Sequence, residues 1–297
     1  MAYAYDWIDA FTDLPFAGNA CAVVYGADDI PVERRVALVR ETSLSECAYL
    51  VASDRADFGV RYYLATREIP MAGHPTIATV VSLIHRGFVT PTPAGTEFTL
   101  EVGAGVLPIS VIARPGRAPL VEITQQQPCF GAVQDPAEIA SLYGLDASDI
   151  IDTPQIVSAG TPFCITLLSG HEALRRAVLN AQELEAWRQT LDEEAAPIME
   201  PFLVALGGAE PGGDTFSRLL LVPPSPAEDP FTGSATGCMA AYLFVRGHVG
   251  SRFVAQQGNW LGRPGSAEVQ LLGSRDNIEG VKVGGSGVVL MSGSLLI

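Results

Sequence analysis

Three side chains in the sequence could perform acid–base chemistry: the carboxyl groups of Glu46 and Asp229 and the imidazole of His74. An imidazole can donate, accept or hold a proton near neutral pH, and a carboxyl group can act as an acid, a base or an orienting group. Each residue also has an ordinary structural interpretation. His74 can be a structural residue at a helix start, Asp229 can form the turn before Pro230, and Glu46 can complete a capping box with Ser43. The strand-like residues after Glu46 weaken the capping interpretation.

His74 and Asp229 belong to two copies of one stretch. Residues 68–87 match residues 228–247 when one is shifted by 160 positions, and the identical pairs are Glu68 and Glu228, Pro70 and Pro230, Gly73 and Gly233, Thr76 and Thr236, Leu83 and Leu243, Arg86 and Arg246, and Gly87 and Gly247. The same spacing of Gly, Phe and Gly recurs after each copy. A repeat of about half the chain predicts two similar units and not a solenoid.

Each copy is typical of a buried helix. A turn that contains proline leads to a glycine and then to a helix start, at His74–Pro75 in one copy and at Ser234 in the other. Proline in the first turn and serine at the cap are both favoured there. The following residues are apolar on nearly every face, so each helix should be buried all round. Arg-Gly ends both copies, which predicts helices over 74–87 and 234–247.

These two helices predict the fold class and the domain organisation. A helix that is buried on all sides must be surrounded by other secondary structure, and a curved sheet can surround it. We therefore expect an α+β protein of two pseudo-symmetric lobes, each a curved, mostly antiparallel β-sheet rolled around its central α-helix. Residues 1–127 form the predicted N-terminal lobe. Residues 128–297 form the predicted C-terminal lobe, whose last strand packs back on the first lobe, and the active site is expected in the cleft between them.

If the lobes face each other, the N-termini of both helices converge on the cleft. Each end offers unpaired backbone N–H groups and a partial positive charge, so together they form a site for an anionic substrate, most simply a carboxylate. Gly73 and Gly233 would let the backbone come close to the ligand. A single helix end of this kind would be no more than a capped core helix. Two related ends in one chain favour a binding site.

The composition excludes several classes of function. The chain has 297 residues and a net charge of −15, which argues against nucleic acid because phosphate binding needs a basic footprint. The cysteine count is odd, no Cys-x-x-Cys occurs and the four histidines lack ligand spacing, so we expect reduced thiols and no metal. No signal peptide and no apolar run long enough for a membrane span is found. We expect a cytoplasmic protein with no membrane partner.

Several blocks of sequence run through the chain from end to end, and none is specific alone. They are Ile8–Asn19, Leu44–Glu46, Ala72–Thr76, Glu228–Ala235 and, more weakly, Gln257–Gly265. In combination and in this order they resemble the phenazine-biosynthesis PhzF-like family. The resemblance implies the diaminopimelate-epimerase type of fold, with two pseudo-symmetric lobes and the site between them, as the duplication already predicts.

The resemblance also implies an activity and a set of site residues. The activity is a cofactor-independent isomerisation, in which a proton leaves one carbon of a cyclic dihydro-hydroxyanthranilate and arrives at another. The catalytic positions of the family fall on Glu46, His74 and Asp229, and its substrate-contacting positions fall on Ser45, Gly73, Gly233 and Ser234. Glu46 would shuttle the proton, because burial in a closed cleft raises the pKa of a carboxyl group toward neutrality. The family resemblance further implies a homodimer.

The sequence departs from the family pattern at three places. Tyr63–Ala65 stands where Phe-Thr-Pro is common, Met71 replaces a usual Phe, and Phe231 replaces a usual smaller residue. We expect these residues to line or back the pocket. The physiological substrate therefore stays open, as does any connection to a phenazine pathway.

Two other functions stay open at this point. An amino-acid or imino-acid racemase or epimerase of the same fold would use two thiols, one at each helix start. Here His74 and Ser234 stand at those positions and Cys238 lies one turn inside the helix, which disfavours this alternative. The second is a non-catalytic protein that binds small carboxylates. The joint presence of Glu46, His74 and Asp229 argues against it.

Overall fold

The chain is a mixed α+β protein, as the sequence predicts. The computed structural model describes residues 2–191, 200–223 and 225–297. The α-helices of these ranges are α1 (Val32–Thr42), α2 (Gly73–His85), α3 (Pro136–Ser141), α4 (His171–Arg176), α5 (Ala181–Arg188) and α6 (Gly233–Val245). The strands are β1 (Ala2–Ala10), β2 (Asn19–Val24), β3 (Cys47–Val51), β4 (Phe58–Tyr63), β5 (Glu68–Ile69), β6 (Thr96–Val102), β7 (Gly105–Ile112), β8 (Leu120–Gln125), β9 (Cys129–Val133), β10 (Gln155–Ser158), β11 (Pro162–Leu167), β12 (Pro201–Leu206), β13 (Thr215–Leu220), β14 (Glu228–Asp229), β15 (Arg252–Gln257), β16 (Gly265–Ser274), β17 (Asn277–Gly285) and β18 (Gly287–Leu296).

The described strands join into one 18-stranded sheet that contains the same order of pairing twice. In the first series β2 is parallel to β3, β3 antiparallel to β4, β4 parallel to β6, and β6, β7 and β8 follow antiparallel. In the second, β11 is parallel to β12, β12 antiparallel to β13, β13 parallel to β15, and β15, β16 and β17 follow antiparallel. An antiparallel pair, β8 with β17, joins the two series. The duplicated sequence thus folds into a duplicated strand order.

The strand that follows each series in the sequence pairs at the edge of the other series. β9 follows β8 in the sequence but pairs with β10, the strand that precedes β11. In the same way β18 follows β17 but pairs with β1, the strand that precedes β2. Ala2 lies opposite Leu296 in this pair. Each series is therefore completed by a strand from the other half of the sequence, while the predicted division into lobes at residues 127 and 128 stays a prediction.

The two duplicated helices, α2 and α6, have 13 residues each. Both begin one residue before the predicted start and end two residues before the predicted end. Arg86 and Arg246 are the C-caps, and the glycines after them, Gly87 and Gly247, have φ of 76° and 82°. Because this left-handed conformation terminates a helix, the Arg-Gly pairs lie just outside the helices and not within them.

Both helices lie in one shared core. α2 packs against β1, β2, β3, β8 and β18, and α6 packs against β10, β11, β12, β16 and β17. A single hydrophobic cluster contains Ile77 and Leu83 of α2 together with Met239 and Leu243 of α6. The prediction that these helices are buried is confirmed. None of the helices in the described ranges has both the length and the apolar character that crossing a membrane requires.

Candidate active site

Helices α2 and α6 meet at their N-termini. A Cβ atom on Gly73 would lie 2.8 Å from the backbone nitrogen of Ser234 and 2.9 Å from Cα of Gly233. A Cβ atom on Gly233 would lie 2.7 Å from the ring of Phe11. Neither position has room for a side chain. Gly73 is required because the two helix ends touch each other, and Gly233 is required because Phe11 packs against it, whereas the sequence had suggested close approach to a ligand.

A cavity of about 720 Å³ lies beside these helix ends. Of the seven site residues that the sequence predicts, four are on its wall: Ser45, Glu46, Asp229 and Ser234. The other three, Gly73, His74 and Gly233, are buried and are not part of the wall. The structure therefore divides the predicted residues into a group that faces the cavity and a group that supports it.

Glu46 is held between a helix end and a buried strand. Ser43 is the C-cap of α1, with φ of 55°, so it ends a helix and cannot open a capping box with Glu46. Cys47, the first residue of β3, is buried in a separate apolar cluster, and Glu46 faces the cavity. Oε2 of Glu46 and Oγ of Ser45 are buried and have no hydrogen-bond partner among the described residues. Both atoms thus have hydrogen-bonding capacity that the described residues leave unused.

His74 and Asp229 are linked by one amide. Nδ2 of Asn19 lies 3.1 Å from Nδ1 of His74 and donates to Oδ1 of Asp229 at 2.8 Å. It also donates to the backbone carbonyl of Phe231 at 2.9 Å. Nδ1 of His74 is in turn 3.5 Å from Oε2 of Glu46. The three predicted catalytic residues therefore form one connected group, with Asn19 at its centre.

The second oxygen of Asp229 is held within its own turn. Oγ1 of Thr232 donates to Oδ2 of Asp229 at 2.6 Å. Nε2 of Gln257 donates to the backbone carbonyl of Asp229 and to Oγ1 of Thr232, and Oε1 of Gln257 accepts from the backbone N–H of Thr232. The carboxylate that ends β14 is consequently fixed at both oxygens before any ligand arrives.

Burial shifts the pKa values of the three residues in different ways. Burial raises the pKa of Glu46 to about 8, and the charges of Asp229 and Glu200 add to the rise. Burial also raises the pKa of Asp229, but only to about 6, because hydrogen bonds from Thr232 and Asn19 favour its charged form. Burial lowers the pKa of His74 to about 3. Near neutral pH Glu46 is mostly a neutral acid, Asp229 is mostly a carboxylate and His74 is neutral, a separation that suits acid and base roles.

Two further residues of the wall, Glu200 and Arg188, are missed by sequence reasoning. Glu200 directly precedes β12 and Arg188 is the last residue of α5. Nη2 of Arg188 lies 3.4 Å from Oε1 of Glu200. Burial raises the pKa of Glu200 to about 7, although the charge of Arg188 opposes the rise. With Glu46, Asp229, Glu68 and Arg67, the wall of the cavity thus contains four carboxyl groups and two guanidinium groups.

Asn19, Thr232 and Gln257 are also missed as functional positions. All three lie inside blocks that carry the family resemblance, but nothing in the sequence says which residues of a block contact each other. Arg263, from the last block, donates to the backbone carbonyl of Gly18 at 2.9 Å. The first, fourth and fifth blocks therefore meet around Asp229 and Asn19, which explains why they occur together.

Comparisons with known proteins identify the family and agree with the fold. The family model described as "Phenazine biosynthesis-like protein" (PhzC-PhzF) matches residues 8–293. "Uncharacterized isomerase YfhB" of Bacillus subtilis is 27% identical over 268 residues, which cover 89% of this chain and 88% of that protein. The trans-2,3-dihydro-3-hydroxyanthranilate isomerase of Pseudomonas aeruginosa is 26% identical over 294 residues, 98% of each chain.

A solved structure has the same fold over its whole length. The phenazine biosynthesis protein of the PhzF family from Bacillus anthracis superposes with a TM-score of 0.84, covers 100% of both chains and is 23% identical. The family model and the shared architecture together show that this chain belongs to the PhzC-PhzF family of phenazine biosynthesis-like proteins.

Proposed function

We propose that this isomerase moves a proton on a small cyclic or unsaturated carboxylate without a cofactor, with Glu46 as the general acid–base residue. The observation on which this proposal rests is the place of Glu46. Its carboxyl group is on the wall of the cavity beside two helix N-termini, and burial raises its pKa to about 8. A group with such a pKa can both take and give a proton near neutral pH, which is the requirement for moving one.

The cavity supports a small anionic substrate. A volume of about 720 Å³ suits a small molecule. The N-termini of α2 and α6 favour an anion, and the hydroxyls of Ser45 and Ser234 can hydrogen-bond a carboxylate. Arg67 and Arg188 are also on the wall, where Arg188 pairs with Glu200 and where Glu68 and Asp229 add further carboxyl groups. The Pseudomonas aeruginosa relative is named for trans-2,3-dihydro-3-hydroxyanthranilate, so a dihydro-hydroxyanthranilate-like acid is the first substrate to consider.

The mechanism needs a C–H bond that the bound carboxylate and a neighbouring double bond make acidic. Glu46 takes this proton while the electron pair of the C–H bond delocalises over the conjugated system. The same carboxyl group returns a proton at a second carbon, and the double bond moves. Asp229 orients the substrate amine and hydroxyl groups, and His74, which lies behind the wall, helps to position Glu46, whose Oε2 is 3.5 Å from Nδ1. A positioned acid–base group of this kind contributes about 10²–10⁴-fold to the rate.

The sequence departures from the family pattern bear on the substrate. Leu64 and Met71 are on the cavity wall. Phe231 is buried and stacks on Phe11 at 4.2 Å between ring centroids, so it supports the site from behind. Because two of these positions face the ligand, this chain is expected to prefer a relative of the dihydro-hydroxyanthranilate and not that compound itself.

The thiol-dependent racemase is disfavoured by the position of Cys238. Its side chain is buried, and Sγ donates to the backbone carbonyl of Thr161 at 3.4 Å. His74 and Ser234 occupy the helix starts where such chemistry needs thiols. The non-catalytic binding protein is the remaining alternative, and turnover distinguishes it from an isomerase.

Proton NMR in D₂O tests the proposal. The purified protein is offered trans-2,3-dihydro-3-hydroxyanthranilate and then a panel of small carboxylates with acidic C–H bonds. We expect isomer formation or deuterium wash-in that depends on Glu46, with Glu46→Gln as the control because it removes the transferable proton and little volume. Full activity of Glu46→Gln would contradict the mechanism. Binding without exchange across the panel would favour the non-catalytic protein.

We also propose a homodimer, on the family resemblance alone. Sedimentation velocity over a range of concentrations tests it. A single species with the mass of one chain at every concentration would contradict it.

A further inference from the structure

Glu46 and Glu200 occupy equivalent places in the two series of strands. Glu46 directly precedes β3, and Glu200 directly precedes β12. Cys47 is the first residue of β3 to pair with its parallel neighbour β2, and Pro201 is the first residue of β12 to pair with its parallel neighbour β11. The strand register therefore aligns the two glutamates, although the sequence around them shows no similarity.

The equivalence continues into the next strands. The third residue of β3 lies opposite Arg61 of β4, and the third residue of β12 lies opposite Arg218 of β13. Arg61 contacts Glu68, and Arg218 contacts Glu228. These last two glutamates are one of the identical pairs of the duplicated sequence. The two series of strands therefore keep the same register from Glu46 and Glu200, on the cavity wall, to Glu68 and Glu228, which precede the helix starts.

Both glutamates share one chemical environment. They are on the wall of the same cavity, and their side chains are 18% and 24% exposed. The charge of Glu200 contributes to the raised pKa of Glu46, so the two groups interact. Arg188 favours the charged form of Glu200. Glu200 therefore has a positively charged partner, Arg188 at 3.4 Å, which suits the role of base.

We propose that Glu200 is a second acid–base residue of this site and takes over the first of the two proton transfers from Glu46, an inference that rests on the proposed isomerase function. The carboxylate of Glu200 takes a proton from one carbon of the substrate, and the electron pair of the broken C–H bond delocalises into the conjugated system. The carboxylic acid of Glu46 gives its proton to the second carbon, and the double bond forms at its new position. Proton exchange with water then returns both groups to their starting states.

A mechanism with two carboxyl groups and a mechanism with a single shuttling carboxyl group differ in the source of the hydrogen that the product gains. A single glutamate can hand back the hydrogen it has just removed, so part of a deuterium label stays with the substrate. With two groups, the hydrogen delivered by Glu46 comes from water. We expect a substrate deuterated at the reacting carbon to lose its label to water and the product to contain hydrogen from solvent.

The catalytic test compares Glu200→Gln with a matched control, Glu101→Gln. Glu101 is also largely buried and ion-paired, to Arg61 at 3.0 Å, but it is not on the cavity wall. With a carboxylate that the wild-type protein isomerises, Glu200→Gln should lower turnover about 10²–10⁴-fold and keep ligand binding, while Glu101→Gln keeps full activity. Full activity of Glu200→Gln would overturn the inference and leave the single Glu46 shuttle intact.

A second measurement does not depend on turnover, so it separates this inference from the proposed function. Carbon-13 NMR of labelled glutamate side chains follows the carboxyl titrations of the resting protein. Glu200→Gln should lower the pKa of Glu46, and Glu101→Gln should leave it unchanged. If Glu46 titrates identically in wild type and in Glu200→Gln, the two carboxyl groups do not interact and the inference is wrong, whether or not any substrate has been found.

Discussion

Nδ2 of Asn19 lies 3.1 Å from Nδ1 of His74. The same nitrogen contacts Oδ1 of Asp229 and the carbonyl of Phe231, and these two acceptors fix which end of the amide is nitrogen. An amide nitrogen donates and does not accept, so an N–H on Nδ1 could not bond to Asn19 and would have only Oε2 of Glu46, 3.5 Å away, as an acceptor. We therefore expect neutral His74 to present its lone pair at Nδ1 to Asn19 and to have its proton on Nε2, which is buried without a hydrogen-bond partner among the described residues.

The tautomer of His74 gives a first prediction. Nitrogen-15 NMR of labelled histidine should show His74 neutral near pH 7, with its proton on Nε2. Asn19→Leu removes the amide and should release this constraint, producing a mixture of tautomers. Gln125→Leu is the matched control because it also removes a buried amide, one that donates to the carbonyl of Gly233. A proton on Nδ1 in the wild-type protein would contradict the assignment of Asn19.

The raised pKa of Glu46 predicts how stability depends on pH. The pKa of Glu46 has its ordinary value of 4.5 in the unfolded chain and a value of about 8 in the folded chain. Between these values the folded state holds the proton and the unfolded state does not, so this group's stabilisation is complete below about 4.5 and is lost as pH rises through about 8. Glu46→Gln removes the effect. The Tm of Glu46→Gln, measured relative to that of wild type, should therefore increase as pH rises from roughly 5 to roughly 9.

Glu101→Gln is the control for this titration because the contribution of Glu101 to stability changes with pH in the opposite direction. Hydrogen bonds from Ser53 and Arg61 lower the pKa of Glu101, so its contribution is present at neutral pH and is lost as pH falls. Differential scanning calorimetry at several pH values separates the two patterns. A constant difference in Tm between wild type and Glu46→Gln would mean that Glu46 titrates normally.

The contact of the two helix ends predicts a cost for any side chain at Gly73. Alanine favours helices over glycine, so Gly73→Ala should stabilise the protein if only helix propensity mattered. The missing space beside Gly233 and Ser234 predicts the reverse, a loss of about 1–3 kcal/mol together with weaker ligand binding. Gly250→Ala is the control, since its nearest neighbouring atom is 3.8 Å away. Chemical denaturation measures both, and equal stabilities would contradict the packing argument.

The hydroxyl of Thr232 predicts a change at Asp229. Thr232→Val keeps the shape of the side chain and removes the donor to Oδ2. The charged form of Asp229 then loses a hydrogen bond, so its pKa should rise above about 6. Thr232→Ser keeps the hydroxyl and should restore the wild-type value. Carbon-13 NMR of the Asp229 carboxyl group follows the titration, and an unchanged pKa in Thr232→Val would show that Asn19 alone holds this carboxylate.

Local patterns predicted much of this structure. Apolar residues on every face of residues 74–87 and 234–247 predicted two buried helices, and both exist with ends displaced by one or two residues. The displacement comes from the caps: Gly87 and Gly247 adopt a positive φ, so the arginines before them are caps and not helical residues. Such details depend on dihedral angles that composition does not reveal.

The contents of the site were harder to predict. Glu46, His74 and Asp229 stand in sequence blocks of recognisable type, and the structure brings them together. Glu200 stands in no such block, and its equivalence to Glu46 exists only in the pairing of β3 with β2 and of β12 with β11. Long-range register of this kind is set by packing between distant segments. It has no counterpart in local spacing.

The antiparallel pair of β8 and β17 resembles the meeting of two identical edges across a two-fold axis, because these strands hold equivalent positions in their series. With β9 and β18 exchanged as well, the chain has the form of a strand-swapped dimer fused into one polypeptide. A true symmetric dimer would present the same residue at both helix starts and would hold a ligand in two equivalent orientations. The fused chain has His74 at one start and Ser234 at the other, so we expect a ligand at this junction to bind in one orientation only.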